Sequence, residues 1–183
     1  MKHVFSLLVA GVLFLPGSAA AQRADRKDFQ IAMDISSIVN NYDRYTIFDD
    51  ISVNVKDGVV TMTGKVTYAL KAQEIIKKVK QVKGVVEVKN EVEQLPASKF
   101  DDQLRSAIAN AIYSSANSSF SEYQMLEHKP IHIIVENGTV TLTGIVNSDV
   151  DRRLAYSLAM SSNAPKVINK LLTNAEAQAE INR

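Results

Sequence analysis

The chain has 183 residues, 46% of them apolar and 22% charged, with a formal net charge of +1 and no cysteine. This composition describes folded protein of one or two domains and excludes disulfides, thiolate metal sites and thiol nucleophiles. Near-neutrality argues against non-specific binding of nucleic acid, which needs many phosphate contacts, so none is expected as a partner.

Residues 1–21 read as a secretory signal peptide. Lys2 and His3 precede an apolar run, Val4–Leu15, which Pro16-Gly17 breaks. Ser18-Ala19-Ala20-Ala21 then offers small residues for cleavage between Ala21 and Gln22. The run is shorter than the ~20 apolar residues a bilayer span requires. No cysteine follows it, so no covalent lipid anchor is expected. Of 21 Lys and Arg the leader removes only Lys2, leaving 20 against 20 Asp and Glu.

After an extension over 22–27, Ile31, Ile35, Ile38, Val39 and Tyr42 recur at helical spacing, with Asp25 or Asp28 as a candidate N-cap and Asn40-Asn41 as the stop. A connector, 43–50, carries Tyr45, Ile47 and Phe48 into ISVNVKDGVVTMTGKV, Ile51–Val66. Asp57-Gly58 between alternating apolar residues signals a two-residue hairpin turn. Pairing Lys56 with Val59 sets Val55 against Val60, Val53 against Met62 and Ile51 against Gly64 on one face; Thr61, Thr63 and Lys65 point the other way, to solvent or a sister domain. A second helix starts at Thr67 or Tyr68 and runs to about Val82 on Ala72, Ile75, Ile76, Val79 and Val82, with Gly84 as a left-handed cap. Val86, Val88 and Val92 give a third strand, with Asn90 on the same parity, and Leu95-Pro96-Ala97 closes it.

The pattern then repeats. Ser98-Lys99-Phe100-Asp101 resembles a capping box, followed by Leu104, Ile108, Ala111 and Ile112 on a helical face. A Ser/Asn-rich connector, 114–130, leads into IHIIVENGTVTLTGIV. Its Asn137-Gly138 turn pairs Val135 with Val140, Ile133 with Leu142 and Ile131 with Gly144. Gly58 to Gly138 and Gly64 to Gly144 are offsets of 80, while Val88 to Val167, Asn90 to Asn169 and Gly84 to Asn163 are offsets of 79. The tail, 174–183, reads as frayed helix or disorder. The expected fold is α+β: two tandem αββαβ units at 28–95 and 100–173 with a linker at 96–99, each a three-stranded sheet with two helices on one face.

The residues Asp57-Gly58, Val60, Met62, Gly64, Val66, Gly84-Val85, Val88 and Asn90 resemble the BON domain. So do Asn137-Gly138, Val140, Leu142, Gly144, Val146, Val167 and Asn169, although Asn163-Ala164-Pro165 replaces the closing Gly-Val. The whole plan is similar to tandem-BON, osmotically inducible periplasmic proteins of Gram-negative bacteria. The resemblance implies a periplasmic location and non-enzymatic envelope work: association with phospholipid surfaces, membrane integrity and stress tolerance, and in some relatives chaperoning of exported proteins. Some relatives bind potassium, but no carboxylate cage supports such a site here, and no cofactor is expected.

No nucleophile elbow, P-loop or dinucleotide fingerprint is present, and no catalytic residue is assigned. His128 and His132 lack a held third ligand; His132 falls on the outward parity and reads as solvent-facing. Asp149/Asp151 read as a helix start and Asp49/Asp50 as a solvated strand entry. Repeated Asn90 and Asn169, on a buried parity, read as bonding neighbouring backbone, and Gly64 and Gly144 as points of close backbone approach. The one charge cluster is Lys71, Lys77, Lys78, Lys80 and Lys83, opposite the second helix's apolar stripe. It reads either as a solvated face or as a dock for anionic phospholipid. Tyr45, Phe48, Phe120, Tyr123, Met125 and Leu126 in the connectors read either as core plugs or as contacts for a membrane or for exported client proteins.

Overall fold

A computed structural model describes residues 18–114 and 120–181, with side chains from Lys27 onward. Most of the leader expected at 1–21 lies outside the described residues. In the first unit, helix α1 (Ser18–Asn40) precedes strands β1 (Asp50–Lys56) and β2 (Val59–Val66), helix α2 (Ala69–Val79) and strand β3 (Glu87–Gln94). The sheet order is β1-β2-β3, β1 antiparallel and β3 parallel to the central β2. Val55 faces Val60, Val53 faces Met62 and Ile51 faces Gly64, the expected register. The turn works because Asp57 (φ 52°) and Gly58 (φ 77°) are both left-handed, which matches the twist of the flanking strands.

The second unit has α3 (Lys99–Tyr113), a four-residue α4 (Ser121–Gln124), β4 (Ile131–Glu136), β5 (Thr139–Val146), α5 (Asp149–Ser161) and β6 (Lys166–Asn169). It ends in β7 (Leu172–Thr173) and α6 (Asn174–Ile181), so the tail is helical where described. The β4–β5 register is also as expected, with Ile133 against Leu142 and Ile131 against Gly144. One difference is that the third strand is split: β6 and β7 each pair in parallel with β5, with Lys170 and Leu171 between them.

Both helices of each unit cover one sheet face. In the first, Val60 and Met62 meet Ile31, Ile35 and Val39 of α1 and Ile75 and Val79 of α2. In the second, Val140 and Leu142 meet Leu104, Ile108 and Ile112 of α3 and Ala155 and Ala159 of α5. Two features of the helices depart from expectation. First, α2 stops at Val79, so Gly84, left-handed as expected at φ 96°, lies beyond a short turn and not at the cap; its counterpart Asn163 (φ 61°) does follow the C-cap Ser162 directly. Second, Asp28 caps nothing, being interior to a helix that begins at Ser18. The close approach expected at Gly64 and Gly144 is present: a Cβ there would collide with the Asp50 and Pro130 carbonyl oxygens respectively.

The units touch through the connector before β1. Ile47 and Phe48 pack against the second unit's core, and Ile133 N–H donates to Ile47 O at 2.6 Å. A unit of about 70 residues has a marginal core of its own, so shared apolar surface stabilises both. Lys65, on the outward face of β2, reaches Glu136 of the second unit at 3.3 Å and Glu93 at 2.5 Å.

Candidate functional site

Of the five clustered lysines, Lys77, Lys78, Lys80 and Lys83 are exposed along α2 and the turn after it. Their apolar neighbours Ile75 and Val79 face inward and are fully buried, the division an amphipathic helix requires. Lys78 lies 5.3 Å from the centre of the Tyr42 ring. No carboxylate pairs with any of the four among the described residues. The second unit has no such face, since α5 carries Arg152 engaged by Asp149 and Glu176.

Lys71 does not belong to this surface. It is 6% exposed and its ammonium lies 2.6 Å from Oδ2 of Asp49, which is itself fully buried. Asp49 was expected to be solvated. Instead its Oδ1 accepts from the amide and hydroxyl of Thr67 at 2.8 and 2.9 Å, and its Oδ2 from those of Thr46 at 2.9 and 2.8 Å. Burial works to raise the Asp49 pKa, but the bonds from Lys71, Thr67 and Thr46 prevail and hold it below the ordinary carboxylate value. In the second unit the equivalent amide, Asn147 N–H, donates to the Tyr123 hydroxyl at 2.8 Å. A tyrosine there does the work that the aspartate does in the first.

Most of the connector aromatics are core. Phe120 and Tyr123 are buried and stack at 5.4 Å, and Phe48 is half-buried against the second unit. Tyr45 is half-buried, accepts from Ile51 N–H at 3.1 Å and packs 5.5 Å from His132. These four are packed within or between the units, Phe120 and Tyr123 fully and Tyr45 and Phe48 in part. Met125 is 89% exposed and Leu126 exposed beside it. His132 is not solvent-facing: Nδ1 lies 2.6 Å from the Asp49 carbonyl oxygen, joining the two units. Among the described residues no three His, Asp or Glu side chains are placed to hold a metal.

Asn90 and Asn169 do bond neighbouring backbone, accepting from Val92 and Leu171 N–H at 3.1 Å each, although Asn90 is exposed and not buried. Ser98 caps α3 by accepting from Asp101 N–H at 3.2 Å, but Asp101 does not complete the capping box. Its buried carboxylate accepts from Asn137 and Gly138 N–H at 2.9 and 2.8 Å. Asp28 does the same for Asp57 and Gly58 N–H at 2.7 and 3.0 Å. Each hairpin turn is therefore fastened to the first helix of its unit by one carboxylate. The repeated aspartate, Asp28 and Asp101, was the signal in the sequence for this contact.

The model of the BON domain matches residues 27–96 and 101–175. The chain belongs to the BON-domain family, with two copies in tandem. Domains of this family are associated with phospholipid binding and with envelope and osmotic-stress proteins, and the family is generally non-enzymatic. Its proteins are typically periplasmic or envelope-associated; among the described residues no helix is long and apolar enough to cross a membrane. Comparison with curated proteins gives no match. Among solved structures, the C-terminal domain of CdsD, a structural protein of the type III secretion system of Chlamydia trachomatis, is similar at 15% identity and TM-score 0.32, over 80% of this chain and 66% of that one. A second CdsD structure from the same organism is 16% identical with TM-score 0.32, over 85% and 68%. The chain thus spans about two thirds of the length of these neighbours.

Proposed function

We propose that this is a non-enzymatic periplasmic protein, exported by the leader at 1–21, that associates peripherally with anionic phospholipid surfaces and supports membrane integrity or stress tolerance. Its working parts are two domains at 28–95 and 100–173. The observation that carries this reading is the exposed row Lys77, Lys78, Lys80 and Lys83, unpaired by carboxylates among the described residues. An anionic leaflet attracts lysines within about a Debye length, ~10 Å at 0.1 M salt. On a protein of net charge near zero, such a row gives weak, reversible and salt-sensitive binding. Sedimentation with phosphatidylglycerol-containing vesicles against phosphatidylcholine vesicles tests it. Binding to the anionic vesicles alone is expected, and no binding to either at low salt contradicts the reading.

A second reading, a periplasmic chaperone or protein-interaction module for exported proteins, is supported by exposed Met125 and Leu126. A cleft of about 820 Å³ lined by Thr141, Thr143 and Ile145 supports it too. Suppression of client aggregation that survives Lys77→Glu with Lys80→Glu favours this one.

A further inference from the structure

The lysine row ends at a place the sequence does not bring together. Strand β2 runs away from the Asp57-Gly58 turn and α2 runs back toward it, so the turn after α2 lands on the hairpin tip. Val86 N–H donates to Gly58 O at 2.8 Å. A Cβ on Gly84 would lie 3.4 Å from Lys27 Cε on α1. Exposed Lys27, Lys56, Lys80 and Lys83, from three separate segments, therefore border one end of the first unit. At its apex stands Val86, 78% exposed, while its neighbour Val85 packs into the core. Three acids share this end. Asp28 is engaged by the turn amides, and Asp57 and Glu87 are exposed. The whole end lies at the far end of β1 from the Asp49–His132 junction, roughly 20 Å away at strand rise, so the second unit does not cover it.

The second unit lacks this arrangement at the matching places. Glu136 stands for Lys56, Met160 for Lys80, Ser162 for Lys83, Phe100 for Lys27 and Pro165 for Val86.

We infer that this end of the first unit is the membrane-docking tip: Val86 enters the headgroup boundary of an anionic bilayer while Lys27, Lys56, Lys80 and Lys83 hold the phosphates around it. The inference rests on the lipid reading above and adds the orientation, with β1 and β2 standing end-on to the membrane. An exposed valine ringed by lysines has the chemistry of an interfacial anchor, with apolar surface removed from water and cations at the phosphate level.

The chain has no tryptophan, so a single one reports its own surroundings. Val86→Trp and, separately, Pro165→Trp are prepared in the full chain and mixed with equimolar phosphatidylglycerol and phosphatidylcholine vesicles at low salt. The expected result is a blue shift of emission and quenching by brominated acyl chains for Val86→Trp and neither for Pro165→Trp. Lys56→Glu with Lys83→Glu should lower vesicle partitioning roughly 25-fold or more, at about fivefold per lysine, with an unchanged melting temperature. If wild type sediments with the anionic vesicles while Val86→Trp neither shifts nor is quenched, the tip is wrong and the lipid reading stands. If wild type does not sediment, both fall.

Discussion

Lys71 sets its ammonium 2.6 Å from Oδ2 of Asp49 in the interior of the first unit. Four further hydrogen bonds from Thr46 and Thr67 complete the carboxylate's partners. The pair ties the connector, the end of β2 and the start of α2 into one knot. The Asp49 carbonyl continues it to His132 of the second unit. Removing one charge strands the other: Asp49→Ala should cost about 3–5 kcal/mol in urea unfolding, as for other broken buried pairs. Replacing both, as Asp49→Leu with Lys71→Met, should cost less than the sum of the two single changes.

The same carboxylate makes stability depend on acid. Its folded pKa lies below the ordinary value, about 3.9 for an unfolded aspartate. Its contribution is therefore fully present above that pH and is lost as pH falls through the lower folded value. The gap in unfolding free energy between wild type and Asp49→Asn should hold from pH 6 down to about pH 4 and narrow only below that. A gap that stays constant below about pH 4 would contradict this.

The carboxylates that fasten the hairpin turns should differ in weight. Asp101 is fully buried and Asp28 only partly so. Asp101→Ala strips two amides, that of Gly138 buried, of their acceptor and should cost about 2–3 kcal/mol, against about 1 kcal/mol for Asp28→Ala. Thermal melts of the two variants check the order.

Phe48 carries the first unit's connector onto the second unit's core. Phe48→Ala should cost about 2 kcal/mol, less than a fully buried phenylalanine. It should also speed hydrogen exchange at Ile133 N–H, which donates across the junction to Ile47. Unchanged exchange would mean that the units do not support each other there.

The hairpins were legible because two independent requirements, a turn with both residues left-handed and side chains of one parity, agree at Asp57-Gly58 and again at Asn137-Gly138. The burial of Lys71 left a trace too, since it sits four residues before Ile75 and so on the same side of α2. Its charge concealed that, because its partner Asp49 lies 22 residues away in a connector without periodicity. Phe120 and Tyr123 were ambiguous for the same reason: a connector's aromatic residues go wherever the core has room, which no local spacing encodes. The basic tip was hidden because Lys27 and Lys56 come next to Lys83 only after the chain has reversed direction at the hairpin and again at α2.

The most direct test is vesicle co-sedimentation of wild type and of Lys77→Glu with Lys80→Glu, on phosphatidylglycerol-containing and phosphatidylcholine vesicles, at low and high salt. Wild type should bind the anionic vesicles at low salt and release at high salt, and the variant should lose most of that binding while melting at the same temperature. Equal binding by variant and wild type, or none by wild type on anionic lipid, would contradict a membrane role for the lysine face.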